Sequence, residues 1–443
     1  MRDLDPLPPA YVLAGARVPA CLIDAAGPAD AEGLARADIA VAHGRIVATG
    51  GSLEKLPGLP ELPDLPRLPL HGRLVLPGLV DVHTHLDKAF IWPRTPNPDG
   101  SFQAALAATD ADRRAHWTAQ DLRARMGFAL RCAHAHGTVA IRTHLDSLGP
   151  QTTISWPVFA EMRAHWRGRI ALQAVALTPI DLVLDDGEFQ PMLEAVIAHD
   201  GLLGAVTYMS PSLPAGLDRL FAAARAHGLD LDLHVDETLD PGARSLALIA
   251  DAALRHDFRG RILVGHCCSL SRQSESEVDR TLDLVARAGI AVVSLPMCNL
   301  YLQDRTAGRT PRWRGTTLLH EMKARGIPVM IASDNARDPF YAYGDLDLVE
   351  VYREATRVAH LDHPFADWPA TVAATPAGLM GLGAGRLAAG RPADLIVLAA
   401  RSLNEALSRP QGTRIVIRDG ARLNAAVPDY AELDSLKGMP HGL

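Results

Sequence analysis

Short apolar runs alternate with longer segments of helical periodicity along most of this chain, but residues 10 to 80 have a different texture. There Ala37 to Val47 (ADIAVAHGRIV) partly alternates apolar and polar positions, with His43-Gly44 as a turn, and reads as short strands. The Pro/Leu-rich stretch Leu56 to Leu70 carries too many prolines for a helix or central strand and predicts a loop or extended edge. From residue 75 eight apolar runs follow: Val75–His85, Thr138–Asp146, Ala171–Leu177, Leu202–Tyr208, Leu229–Glu237, Arg261–Cys267, Ala291–Pro296 and Pro328–Asn335. Between them, segments such as Leu122–Ala135, Leu217–Ala226 and Glu277–Ala288 place apolar residues on one helical face and charges on the other. Leu346–His360 and Pro369–Leu379 read as further helices. Ala393–Leu398 and Thr413–Ile417 return to strand texture, closed by the turn Arg418-Asp419-Gly420.

Strands alternating with helices favour βα units and a parallel sheet, and eight is the number that a (β/α)8 TIM barrel needs. The pattern therefore predicts an α/β protein. The barrel spans residues 75–384, and both chain ends, residues 1–74 and 385–443, form a small accessory β-sandwich domain. A length of 443 residues accommodates one large barrel and one small domain.

Composition narrows the class of partner. The 44 basic residues do not outnumber the 51 acidic ones, and the formal charge is -7, so the excess of positive charge usual for nucleic-acid binding is missing. A small-molecule substrate is expected instead. Met1 to Ala10 has no apolar h-region and no apolar run approaches about 18 residues, so no membrane association and a cytoplasmic location are expected. Five cysteines (Cys21, Cys132, Cys267, Cys268, Cys298) without a CxxC pair suggest neither a disulfide framework nor a structural zinc knot, and each reads as a small buried hydrophobe. A homo-oligomer is left open.

Candidate chemistry collects at the ends of the predicted strands, where this fold carries its active sites. The first run ends in Val82-His-Thr-His85. Residues i and i+2 of a strand share a face, so His83 and His85 can reach one metal ion. The pair His134-Ala-His136 is a useful control. It ends a predicted helix, where such side chains diverge, and reads as surface histidines. The fifth run ends in His234-Val-Asp-Glu237, the sixth in Gly265-His266 and the eighth in Ser333-Asp334-Asn335. Four strand ends thus deliver four histidines and an aspartate to one rim.

Taken together with Arg142-Thr-His-Leu-Asp146, Asn299-Leu-Tyr-Leu-Gln303, Arg314-Gly315, Asp338-Pro-Phe-Tyr341 and Gly390-Arg-Pro-Ala-Asp-Leu395, these segments resemble the amidohydrolase superfamily, and most closely its cytosine deaminase-like members. The resemblance implies a metal-dependent aminohydrolase that releases ammonia from an aminated N-heterocycle. Carried over residue by residue, it makes His83, His85, His234 and Asp334 metal ligands. His266 would hold the water that the ion activates, and Glu237 would shuttle protons to the ring. Three imidazoles and one carboxylate suit Zn or Fe(II). Binuclear members place a carboxylated lysine at the end of the fourth strand. The run Leu202–Tyr208 has none, so one divalent ion per chain is expected.

Departures from the pattern bear on the substrate. The glutamine that reads the pyrimidine amide edge after the third strand is missing from Leu177-Thr-Pro-Ile180, and Gln173 lies too early in the strand. Asn335 stands where the family has a second acid, and Phe340 where it has a tryptophan. Cytosine is therefore one candidate among related rings, including isocytosine-like and aminotriazine rings. Arg142, Gln303 and Asn335 could supply polar contacts, and Phe90, Trp92 and Phe340 could stack on a ring. Lys88 reads as substrate-facing or structural. The alternative function on the same scaffold is hydrolysis of a cyclic amide, a lactam or a substituted aminotriazine. A non-catalytic metal-binding protein is disfavoured, because Glu237 has no evident structural purpose in an acidic rim.

Overall fold

The computed structural model describes residue 4 and residues 6–53, 64–410, 412–436 and 438. Part of the Pro/Leu-rich stretch, residues 56–63, lies outside the described residues. In chain order the strands are β1 (Ala10–Pro19), β2 (Leu34–Ala42), β3 (Arg45–Gly50), β4 (Arg67–Pro69), β5 (Val75–Pro77), β6 (Leu79–Thr84), β7 (Thr138–Asp146), β8 (Ala171–Leu177), β9 (Val206–Thr207), β10 (Leu231–Val235), β11 (Ile262–His266), β12 (Ala291–Ser294), β13 (Val329–Ile331), β14 (Leu395–Val397), β15 (Ile415–Arg418) and β16 (Ala421–Arg422). Helices α1 (Phe102–His116), α2 (Ala119–His136), α3 (Gln151–His165), α4 (Asp186–Ala198), α5 (Leu213–His227), α6 (Ser245–Arg255), α7 (Glu275–Arg287), α8 (Pro296–Leu302) and α9 (Leu319–Ala324) fall between the strands from β6 to β13, and α10 (Leu348–Ala359) follows them.

The chain divides into two compact units, and the first comprises residues 1–81, 132–140 and 347–427. It holds two four-stranded sheets, ordered β3-β2-β1-β4 and β16-β15-β14-β5. Apolar residues from both sheets, among them Tyr11, Leu13, Ile39, Val41, Leu395, Val397 and Ile417, are buried in one cluster. The β2–β3 hairpin turns on His43 and Gly44, which both have positive φ (52° and 74°), as a two-residue turn matched to strand twist requires. The helix expected over Pro369–Leu379 is instead a 3-10 turn, Trp368–Val372, followed by a short α-helix, Ala374–Leu379. Pro376 has no N–H to give the Val372 carbonyl, so the helical ladder cannot run through.

The second unit comprises residues 82–131, 141–346 and 428–443. Its strands form the series β6-β7-β8 and β13-β12-β11-β10-β9. Parallel bridges between Thr84 and Asp334, Val175 and Leu202, and Pro179 and Val206 join the two series at both ends and close a ring of eight strands. The fold is thus α/β and TIM-barrel-like. The fourth strand, β9, has further parallel bridges at Leu202 and Leu203, so its run pairs at both ends, and the neighbouring strands come close at Gly204 between them. A Cβ there would lie 2.5 Å from the carbonyl oxygens of both Ala176 and Asp232. Two other expectations are corrected. His134, on α2, is buried rather than superficial, while His136 is half-buried. Cys21 is partly exposed, whereas the other four cysteines are buried. Among the described residues, no helix is long and apolar enough to cross a membrane.

Candidate active site

Three of the strands that deliver candidate residues, β10, β11 and β13, have backbone in the left-handed region at or shortly after their ends. Asp236, His266, Cys267 and Asp334 have positive φ (47°, 70°, 51° and 65°), a conformation that side-chain-bearing residues adopt only where the surroundings enforce it. The Asp236 carboxylate shows how this is held at β10. It accepts the backbone N–H groups of Ser245 (3.0 Å) and Leu246 (3.1 Å), so the strand end is tied to the start of α6.

The rim residues converge. His83 Nε2 lies 3.4 Å and His85 Nε2 3.2 Å from Asp334 Oδ1, and His234 Nε2 lies 3.1 Å from His85 Nε2. Atoms 2.0–2.1 Å from a tetrahedral centre are about 3.3 Å apart, so these edges match a zinc-sized site. Several polar atoms here are buried without a hydrogen-bond partner, including His83 Nε2 and both Asp334 oxygens. Buried orphans of this kind are costly, and one cation would satisfy them together. His83, His234, His266 and Asp334 offer ligand atoms that all lie within 4.8 Å of one another, and His85 Nε2 adds its contacts to Asp334 and His234, so this group of side chains could hold a divalent ion.

The electrostatics agree. Burial, reinforced by neighbouring imidazoles, keeps His234 well below its ordinary pKa. Burial and the Lys88 charge lower His85 to about 4. Both rings are neutral near pH 7, as ligation requires. Burial alone would raise Asp334, but contacts with His83 and His85 hold it well below the usual carboxylate range. Glu237 goes the other way. Burial and the charge of Asp334 hold its carboxyl well above the usual range.

Asn299, on α8, was not singled out from the sequence as a site residue. Its Nδ2 donates to His266 Nδ1 (3.0 Å) and to Glu237 Oε1 (3.2 Å). With Nδ1 accepting, the neutral His266 ring carries its proton on Nε2, aimed at the cluster. His144, also missed, sets His83: its Nε2 lies 3.1 Å from His83 Nδ1 and 3.7 Å from Asp232 Oδ1. The i, i+2 spacing of Arg142, His144 and Asp146 on β7 could have signalled it.

These residues open into a cavity of about 270 Å³, lined by His85, His234, His266, Asp334 and Glu237 together with Lys88, Asn335 and Phe340. Three further expectations are corrected. Arg142 sits two residues deeper in β7 than His144, outside the lining, with Nη1 on Asp232 (2.9 Å) and Nε and Nη2 on Gln173 Oε1 (3.1 and 2.9 Å). Gln303 Nε2 donates to the backbone carbonyl of Glu237 (3.1 Å) and is likewise outside the lining. Phe90 packs on Phe128 in the core, the backbone N–H of half-buried Trp92 donates to the Arg337 carbonyl, and neither residue is among those lining the cavity.

Comparison with known proteins places this geometry. Residues 174–423 match the model of the amidohydrolase family. A pterin deaminase of Rhizobium rhizogenes is 52% identical over 97% of this chain and 97% of its own length. Among solved structures, 5-methylcytosine deaminase from Klebsiella pneumoniae superposes with a TM-score of 0.78 at 22% identity, covering 94% of this chain and 98% of that one. N-isopropylammelide isopropylaminohydrolase from Burkholderia multivorans gives a TM-score of 0.72 at 26% identity, covering 93% and 97%. The chain belongs to the amidohydrolase family.

Proposed function

We propose that this chain is a metal-dependent aminohydrolase that removes the exocyclic amine of an N-heterocycle, with pterin-type rings as its substrates. One observation carries the reading: a buried carboxylate and several imidazoles meet in a ring-sized cavity that Glu237 also lines, with burial and the charge of Asp334 raising the pKa of the Glu237 carboxyl. The 52% identity to a pterin deaminase supports the choice of ring. The reading takes one ion per chain, zinc or iron, and treats the two sheets of the first unit as an accessory β-sandwich.

When bound, the cation would lower the pKa of water toward neutrality. The remaining work falls to side chains. Asp334 takes a proton from the attacking water. Glu237 gives its proton to the ring nitrogen next to the aminated carbon, so that negative charge does not accumulate on the ring as the water oxygen adds. His266 presents Nε2–H to that oxygen. Asn299 keeps His266 and Glu237 in register. As the C–N bond breaks, Glu237 recovers a proton from the hydroxyl that added, the carbonyl forms, and ammonia leaves with the proton that Asp334 took from water. Hydrolysis of a cyclic amide is less well supported, since the run Leu202–Tyr208 has no lysine to bridge a second ion.

The test is ammonia release from pterin, isocytosine, cytosine and an aminotriazine by zinc- and iron-loaded protein. Pterin is expected to show the highest kcat/KM. Cytosine as the best substrate, with a specificity constant typical of a dedicated enzyme, would overturn the choice of ring. No release from any of them would overturn the activity.

A further inference from the structure

With Arg142 and Gln303 bonded elsewhere, the cavity needs other groups to read the ring. Lys88, in the loop after β6, and Asp146, which ends β7, both line it. Asp146 is held from three sides. Its N–H donates to Asp87 Oδ2 (2.7 Å), Lys88 Nζ donates to its Oδ1 (3.0 Å), and Arg113 Nη1 lies 3.4 Å from its Oδ2. Lys88 is itself braced. Fully buried Arg125 donates from Nη1 to the carbonyls of Asp87 (2.5 Å) and Ala89 (3.1 Å), the residues on either side of it.

A buried ion pair adds little net stability, because desolvating two charges offsets their attraction. Fixed geometry is what this arrangement provides. An ammonium has three N–H donors and a carboxylate about four acceptor positions, so each group keeps capacity for a ligand after pairing. Much of the remaining lining is apolar, with Leu106, Leu148, Leu177, Pro179 and Val206 suiting a flat ring. Position around the barrel supplies the direction. Glu237 follows β10, four strands from β6 and three from β7 in a ring of eight, so Lys88 and Asp146 face it across the mouth.

We propose that Asp146 and Lys88 together read a lactam edge of the substrate, Asp146 accepting its N–H and Lys88 donating to its carbonyl, while Glu237 serves the ring nitrogen on the opposite side of the aminated carbon. This rests on the aminohydrolase reading with pterin-type rings and assigns the residues that recognise their pyrimidinone edge. The aminated carbon must lie between two nitrogens, one of them an N–H beside a carbonyl, which is the 2-aminopyrimidin-4-one pattern. Cytosine has a C–H on one side of its aminated carbon and cannot satisfy both contacts.

The test compares wild type with Lys88→Met and Asp146→Asn on isocytosine, which carries the edge, and 2-amino-4-methoxypyrimidine, in which the edge is blocked. Wild type is expected to prefer isocytosine by ten- to a hundred-fold in kcat/KM, and both variants to lose most of that preference with unchanged metal content. A parallel calorimetric titration measures binding of uracil, the deaminated product, against 2,4-dimethoxypyrimidine, with the same loss of discrimination expected. Equal losses on both rings, or an unchanged preference, would overturn the proposal and leave the aminohydrolase reading intact. If wild type released ammonia from neither ring nor from pterin, the aminohydrolase reading would fail, and the titration alone would decide whether the pair reads a lactam.

Discussion

Glu237→Gln separates chemistry from architecture at this site. The substitution replaces one carboxyl oxygen with an amide nitrogen and keeps the side-chain volume. Asn299 Nδ2, 3.2 Å from Oε1, can still donate to the glutamine oxygen, and Gln303 is untouched because it bonds the backbone carbonyl at 237. None of the four proposed ligands changes. Folding and metal content should therefore match wild type. What disappears is the transferable proton, which burial and the nearby Asp334 charge favour on the carboxyl by raising its pKa. A positioned general acid–base contributes about 10²- to 10⁴-fold, so kcat should fall by about that factor, or roughly 3–5 kcal/mol in barrier height. The measurements are ammonia release at saturating substrate, elemental analysis and a thermal melt, run beside His234→Ala, which should lose both metal and turnover. Near-wild-type turnover of the glutamine variant with its metal in place would refute the role of Glu237 as proton donor.

Other outcomes follow from the same geometry. Asn299→Ala should keep its metal but lose about 10- to 100-fold in kcat, since the amide orients both His266 and Glu237 without touching the ion; unchanged kinetics would remove it from the mechanism. Arg142→Met leaves Asp232 buried without its guanidinium partner and should cost about 3–5 kcal/mol of stability, read as a lowered Tm. A normal Tm with altered ring preference would return Arg142 to the substrate. Elemental analysis should find one divalent ion per chain, and two ions that are both needed for activity would contradict that. Chelation should abolish turnover and lower Tm, because the orphaned atoms of His83 and Asp334 then lose their shared partner; an unaffected rate would exclude a catalytic metal.

Local rules made much of this protein legible. The runs Thr138–Asp146 and Ala171–Leu177 coincide with β7 and β8, because alternation and β-branched content act within one strand. His83 and His85 were recognisable from their i, i+2 spacing at a strand end, and His234, Glu237, His266 and Asp334 from their places at other strand ends. The fourth run pairs with its neighbours at Leu202, Leu203, Val206 and Thr207, but nothing local reveals that Gly204 between them lies against two neighbouring backbones. Helix 369–379 was overread, because Pro376 breaks the ladder from inside the segment.

What sequence by itself determined, then, is the set of elements and the residues delivered to the rim, because periodicity and strand-end position are properties of the chain. Tertiary structure alone decided which polar groups were left over to meet a ligand. Arg142 and Gln303 have the right chemistry for reading a ring, but a buried Asp232 and an unpaired backbone carbonyl claim them first. Asn299, His144 and Asp146 gain their significance only from neighbours that lie far away in the chain. Buried polar groups must be paired, and the pairing is settled by three-dimensional proximity, which one-dimensional spacing does not encode.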